Sequence, residues 1–113
     1  MKFVNLTPHA LNIEGIGTIP ASGNVARVAT LRVSMGTRGG VRIVLQNLGK
    51  IEGLPAQEKD TIYIVSGMVL DAIKRQSAQV GSSRAGADVF APDTGQDAIR
   101  ENGQIVAVRG LVA

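Results

Sequence analysis

Residues 61–76 read TIYIVSGMVLDAIKRQ and decide the fold. The apolar run at 61–65 predicts a short buried strand. Ser66 follows in the position of a helix N-cap, and residues 67–76 space their apolar side chains by three and four, with cations at the far end. This pattern predicts one short helix over 67–76. Residues 88–91 (DVFA) then predict another short strand.

A strand–helix–strand unit of this kind makes its two strands parallel neighbours. Ser66 and Asp93 would then both lie just beyond the carboxyl ends of adjacent strands. Open sheets place ligands at this edge. We therefore expect the candidate site there.

The remaining chain reads as strands separated by glycine-rich turns. Residues 25–34 and 41–48 predict a long antiparallel hairpin, with a bulge near Ala29 where the apolar positions change phase. Residues 104–109 (QIVAVR) are apolar on both faces and predict a central strand, whereas 77–87 predict a loop. The fold class is β-rich α+β, a mixed sheet or a small barrel, in a single domain over 1–113. The hairpin, at about 25–48, is expected to project toward another subunit.

Composition narrows the classes of protein. The chain is 44% hydrophobic and 19% charged, which is typical of a folded domain, and it has no Cys for disulfides or thiolate metal sites. No run reaches the ~18 apolar residues of a membrane span. The lack of Cys suits a reducing cytoplasm, where the protein is expected. The net charge of +3 is small, the basic residues form no long run and aromatic residues are few, which does not favour nucleic-acid binding. Arginine outnumbers lysine, which favours small anions.

Residues 89–97 (VFAPDTGQD) contain the Asp-Thr-Gly triplet of aspartic proteases. Pro92 and Gln96 do not fit that family's flanks, and only 18 residues follow Gly95, too few for the rest of its fold. The triplet is better explained as a turn, in which Pro92 presets φ, Asp93 bonds its own backbone two residues on and Gly95 supplies a positive φ.

The candidate ligand-binding residues are those with polar or charged groups near this turn and edge. No catalytic residue, metal site or cofactor is predicted. Arg109 ends an apolar strand and is expected either to pair with Asp93 or Asp97 or to remain available for an anion, and His9 could either stabilise its own turn or contact a ligand. The set is Ser66, Asp93, Thr94, Arg100, Arg109 and His9.

Several segments together resemble a group of short, largely uncharacterised bacteriophage and prophage proteins. They are VNLTPHALNI, IPASGNVARV, GLP, TIYIVS, DVFAPDTG and AIRENGQIVAVRG. The resemblance covers nearly the whole chain and is loosest in the middle hairpin. It implies a phage accessory protein acting in a bacterial cytoplasm, and it assigns no function to any residue.

Three functions remain open. The first is a non-enzymatic protein that binds and sequesters a small anionic, nucleotide-type ligand, as a counter-defence protein would. The second is a structural or interaction protein, such as a minor virion component or an inhibitor of a host protein. The third is a small metal-dependent hydrolase that uses Asp93. A homo-oligomer is compatible with all three, because a long hairpin offers an open edge.

Overall fold

The computed structural model describes residues 1–77 and 84–113. Residues 78–83, the centre of the expected 77–87 loop, lie outside the described residues. The described strands are, in chain order, β1 (Lys2–Asn5), β2 (Leu11–Ile13), β3 (Gly17–Ile19), β4 (Arg27–Arg38), β5 (Val41–Glu52), β6 (Thr61–Ile64), β7 (Val89–Pro92), β8 (Ile99–Glu101), β9 (Gln104–Ala107) and β10 (Leu111–Val112). The helix α1 spans Gly67–Ser77, between β6 and β7.

The central sheet has four strands in the order β1-β6-β7-β10. β1, β6 and β7 are parallel, and β10 runs antiparallel to β7. The protein is therefore a β-rich α+β fold built on a mixed sheet, as predicted. Of the two expected arrangements the mixed sheet is the one that forms, because the described strands do not close into a barrel.

The strand–helix–strand prediction for 61–91 is confirmed. Tyr63 and Ile64 pair in parallel with Val89 and Phe90, and α1 connects the two strands. Ser66 caps α1, since its hydroxyl accepts a hydrogen bond from the Val69 amide at 3.3 Å.

The apolar character of β6 reflects burial on both faces of the sheet. Tyr63 and Val65 pack with α1 residues such as Leu70 and Ile73 on one face. Ile64 points to the other face and packs with side chains from the small hairpins and the C-terminal segment, such as Ile13 and Val108. The central sheet therefore lies between two apolar cores, one on each face.

The long hairpin is confirmed, with strands of 12 residues each. Gly39 and Gly40 form its turn with φ of 58° and 80°, which suits the two-residue turn that joins twisted strands. The register shifts between Val28 and Thr30, where the bulge was predicted, and again between Ser34 and Thr37. β4 is exposed from residue 29 to its end, so most of the hairpin extends beyond the core.

The prediction of a central strand at 104–109 is wrong. β9 pairs with β8 in a separate two-stranded sheet, where Ile105 and Val106 are exposed. The chain enters the central sheet only afterwards, at β10. Apolar residues on both faces of a strand therefore did not indicate a central position here.

Candidate functional site

Five of the six candidate residues lie beside one edge of the central sheet. The carboxyl ends of β1, β6 and β7 meet there, together with the amino end of the antiparallel β10. The residues that flank these strand ends are His9 after β1, Ser66 after β6, Asp93 and Thr94 after β7, and Arg109 before β10. The sixth, Arg100, lies on β8 and contacts the loop that follows β7.

Asp93 forms the turn that its sequence predicts. Its carboxylate Oδ1 accepts a hydrogen bond from the Gly95 amide at 3.1 Å, and its own amide donates to the Gly110 carbonyl at 3.0 Å. These bonds fix the loop between β7 and β8 against the amino end of β10. The bond between Asp93 and Gly95 is the contact that the turn interpretation requires of the Asp-Thr-Gly triplet. The expected positive φ at Gly95 is wrong, because this glycine does not adopt the left-handed conformation.

The Arg100 side chain stabilises the same loop through hydrogen bonds to its main chain. Its guanidinium donates to the carbonyls of Thr94 and Gly95 at 3.0 Å each and to that of Ala98 at 3.4 Å. Hydrogen bonds to these three carbonyls occupy N–H groups of Arg100 that would otherwise be available to a bound anion. This arginine therefore has a structural task in the loop.

Arg109 pairs with Glu14, so the expected pairing with Asp93 or Asp97 is wrong. The two side chains are 3.1 Å apart and 61% and 55% exposed. The reason lies in the neighbouring residue, because Val108 bridges Ile13 and brings the end of β2 beside Arg109. An ion pair this exposed contributes about 0–1 kcal/mol, so it holds Arg109 only weakly.

His9 is exposed and contributes its main chain to the loop after β1. Its carbonyl accepts hydrogen bonds from Asn5 Nδ2 at 2.8 Å and from the Thr7 hydroxyl at 3.0 Å. Asn5 also donates to the Ile19 carbonyl at 3.1 Å. The buried Asn5 side chain, which sequence reasoning missed, thus organises the loop on which His9 lies.

A second candidate site lies on the hairpin, outside the predicted set. Arg32, Ser34, Arg42 and Val44 line an open groove of about 600 Å³ on one face of β4 and β5. Ser34 and Val44 are direct cross-strand partners, and the arginines lie two residues from them along each strand. Within the described residues, neither guanidinium has a hydrogen bond or an ion pair.

The charge distribution singles out the same hairpin. Arg27–Glu52 contains five cationic side chains and one carboxylate, a net charge of +4. The rest of the chain holds seven cationic and eight acidic side chains, a net charge of −1. The absence of any acidic residue between Arg27 and Lys50 is a sequence signal that could have indicated this groove.

At the opposite end of the sheet, Asp88 is buried and forms an ion pair with Arg84. Arg84 binds its carboxylate through two hydrogen bonds, at 2.7 and 3.2 Å, and also donates to the Pro55 carbonyl at 2.7 Å. Asp88 also lines a cleft of about 280 Å³, so its carboxylate there is already held by Arg84. Across residues 1–77 and 84–113, no group of three or more His, Asp or Glu side chains is placed to hold a metal ion.

The chain matches no protein-family model, no curated protein and no solved structure. In the described part of the chain, no helix has the length and apolarity needed to cross a membrane. The two sites themselves are therefore the basis for assigning a function.

Proposed function

We propose that the protein is a non-enzymatic binding protein of the phage or prophage accessory type. It binds and sequesters a small anionic, nucleotide-type ligand of host defence in the bacterial cytoplasm. The observation that carries the proposal is the groove on the hairpin, where Arg32 and Arg42 face a common space with no internal partner among the described residues. Its volume of about 600 Å³ is within the range of small-molecule sites.

The groove supports anion binding better than the sheet edge does. Arg100 is occupied by main-chain carbonyls and Arg109 by Glu14, whereas the groove arginines keep their donors for a ligand. Ser34 adds a hydroxyl between them. Guanidinium groups bind phosphate through two parallel hydrogen bonds, so a free arginine is a strong phosphate ligand.

The spacing of the arginines indicates the kind of anion. Arg42 and Gln46, the cross-strand partner of Arg32, are four residues apart on β5, which is roughly 13 Å at the rise of a strand. One phosphate between side chains that start this far apart would contact both only at full stretch. The groove therefore favours a ligand with two separated anionic groups, such as a dinucleotide.

Calorimetric titration with a panel of linear and cyclic nucleotides tests the proposal. Arg32→Ala and Arg42→Ala each remove a charged hydrogen bond worth about 1.5–3 kcal/mol, so each should weaken binding about ten- to a hundredfold. Arg75→Ala is the matched control, because Arg75 is an exposed arginine on α1 outside the groove. The Arg75→Ala variant should bind the nucleotide with the same affinity as the unmodified protein.

Two other results would contradict the proposed site or function. Binding that is unchanged in the groove variants but weakened in Arg109→Ala would move the ligand to the sheet edge. No heat with any nucleotide would contradict nucleotide binding and favour the second candidate, a protein-interaction role. That role is supported by the exposed apolar side chains on the opposite face of the same hairpin.

A further inference from the structure

We infer that two copies of this chain associate through the apolar face of the hairpin. This face is defined by six side chains that alternate with the groove residues along β4 and β5. All six are exposed, from 39% for Ile43 to 63% for Val41. They are Leu31, Val33, Met35, Val41, Ile43 and Leu45.

The protein exposes more solvent-accessible surface than a compact monomer of its mass. The accessible surface is 7624 Å², whereas a compact monomer of 11.8 kDa exposes about 5,900 Å². The radius of gyration is 16.6 Å, against about 13 Å for a compact domain of this length. The excess of about 1,700 Å² per chain is more than the ~800 Å² per partner that a standard-size interface buries, so a second copy can cover part of it.

The chemistry of the face favours a second copy as the occupant. A two-fold interface places the same patch on both partners, so the patch must be compatible with itself. The six side chains of this face are uncharged, and the groove arginines point away on the opposite face. Arg38, the cross-strand partner of Val41, adds one charge to this face at its tip, beside the turn. Two such faces can therefore meet although each hairpin has a net charge of +4.

The geometry of the hairpin favours the same arrangement. A two-stranded hairpin is marginally stable in water unless it packs against something, and most of this one lies outside the core. Two hairpins packed face to face form a four-stranded, two-layer sandwich with about 10 Å between the layers. Each hairpin then supplies the packing that the other lacks, and both grooves stay open. The inference does not depend on ligand binding in the groove.

Sedimentation velocity at micromolar concentration tests this inference. The unmodified protein should sediment as a species of about twice the 11.8 kDa chain mass. Leu45→Glu places a charge in the interface and should weaken association by at least about a hundredfold, giving monomer. Ile105→Glu is the matched control, because Ile105 is 43% exposed and Leu45 is 45% exposed, but Ile105 lies on β9. This control should remain a dimer.

Single cysteines give a second readout that introduces no charge. The chain has no Cys, so Leu45→Cys and Ile105→Cys each provide one thiol. Oxidation should cross-link two copies of Leu45→Cys far faster than two copies of Ile105→Cys. A monomeric unmodified protein, or a dimer that Ile105→Glu disrupts and Leu45→Glu does not, would overturn the inference. Nucleotide binding that persists in a monomer would leave the proposed ligand function intact.

Discussion

Asn5 shows how a single buried side chain shapes the candidate edge. Its amide donates to the carbonyls of His9 and Ile19, while its oxygen accepts from the amide and hydroxyl of Thr7. A buried amide with these partners positions three segments that are distant in sequence. Nothing in the local pattern KFVNL distinguishes it from an exposed asparagine, because its partners come from the packed loop.

The Tyr63 hydroxyl is the titrating group from which we predict how stability depends on pH. It is buried on β6, and its hydroxyl donates to the Ala56 carbonyl at 3.0 Å. Burial, and then the charge of Glu58, raise the pKa of Tyr63 above its ordinary value of 10.0. The folded protein therefore keeps this proton at a pH where the unfolded chain has lost it.

The raised pKa of Tyr63 makes the stability of the fold depend on pH. Stability from this group is fully present below pH 10 and falls as the pH rises from there through the raised pKa of the folded state. Tyr63 is the single tyrosine and the chain has no Trp, so tyrosinate absorbance reports it alone. The midpoint should lie above 10.0 in the folded protein and near 10 in urea. Equal midpoints would contradict the buried environment.

At the scale of elements, the base of the hairpin depends on Gly53. This residue follows β5 with a φ of 82°, and a Cβ there would meet the Val25 carbonyl oxygen at 2.5 Å. The close approach joins the end of β5 to the segment before β4. Only glycine fits, because both the space and the backbone conformation exclude a side chain.

Gly53→Ala should therefore lower the free energy of unfolding by about 2 kcal/mol or more. Gly67→Ala is the matched comparison, because a Cβ added at Gly67 would have no neighbour within 4 Å and the residue begins α1. It should be neutral or stabilising by up to about 1 kcal/mol, since alanine favours a helix. Urea unfolding at one fixed protein concentration measures both. Equal effects of the two substitutions would show that the contact with Val25 does not matter.

At the scale of the whole molecule, the groove arginines and the exposed apolar side chains lie on opposite faces of one hairpin. The net charge of +4 on Arg27–Glu52 attracts anions but makes two hairpins repel each other. Salt screens this repulsion, since the screening length falls from about 10 Å at 0.1 M to about 3 Å at 1 M. The contact between apolar faces itself is not weakened by salt.

Self-association should therefore tighten as sodium chloride rises from about 0.1 to 1 M, whereas nucleotide binding in the groove should weaken. Sedimentation equilibrium and calorimetry measure the two constants on the same preparation. Leu45→Glu provides the control, because it should remain monomeric across this range. Association that weakens with salt would instead indicate a contact made by charges.

What the sequence determined by itself is local. The periodicity of 61–76 specified the strand, cap and helix, and the change of phase near Ala29 specified a bulge in the hairpin. The hydrogen bond between Asp93 and Gly95 was likewise predictable, because it joins residues two apart. Such features depend on neighbouring residues, so short-range turn chemistry and periodicity are sufficient to predict them.

What only the tertiary structure decided is which distant groups meet. It paired Arg109 with Glu14, 95 positions away along the chain, and directed Arg100 to main-chain carbonyls. It also placed Gln104–Ala107 outside the central sheet and left Arg32 and Arg42 facing an open groove. Long side chains and short strands can choose among many partners, and that choice is set by the packing of segments that are remote in sequence.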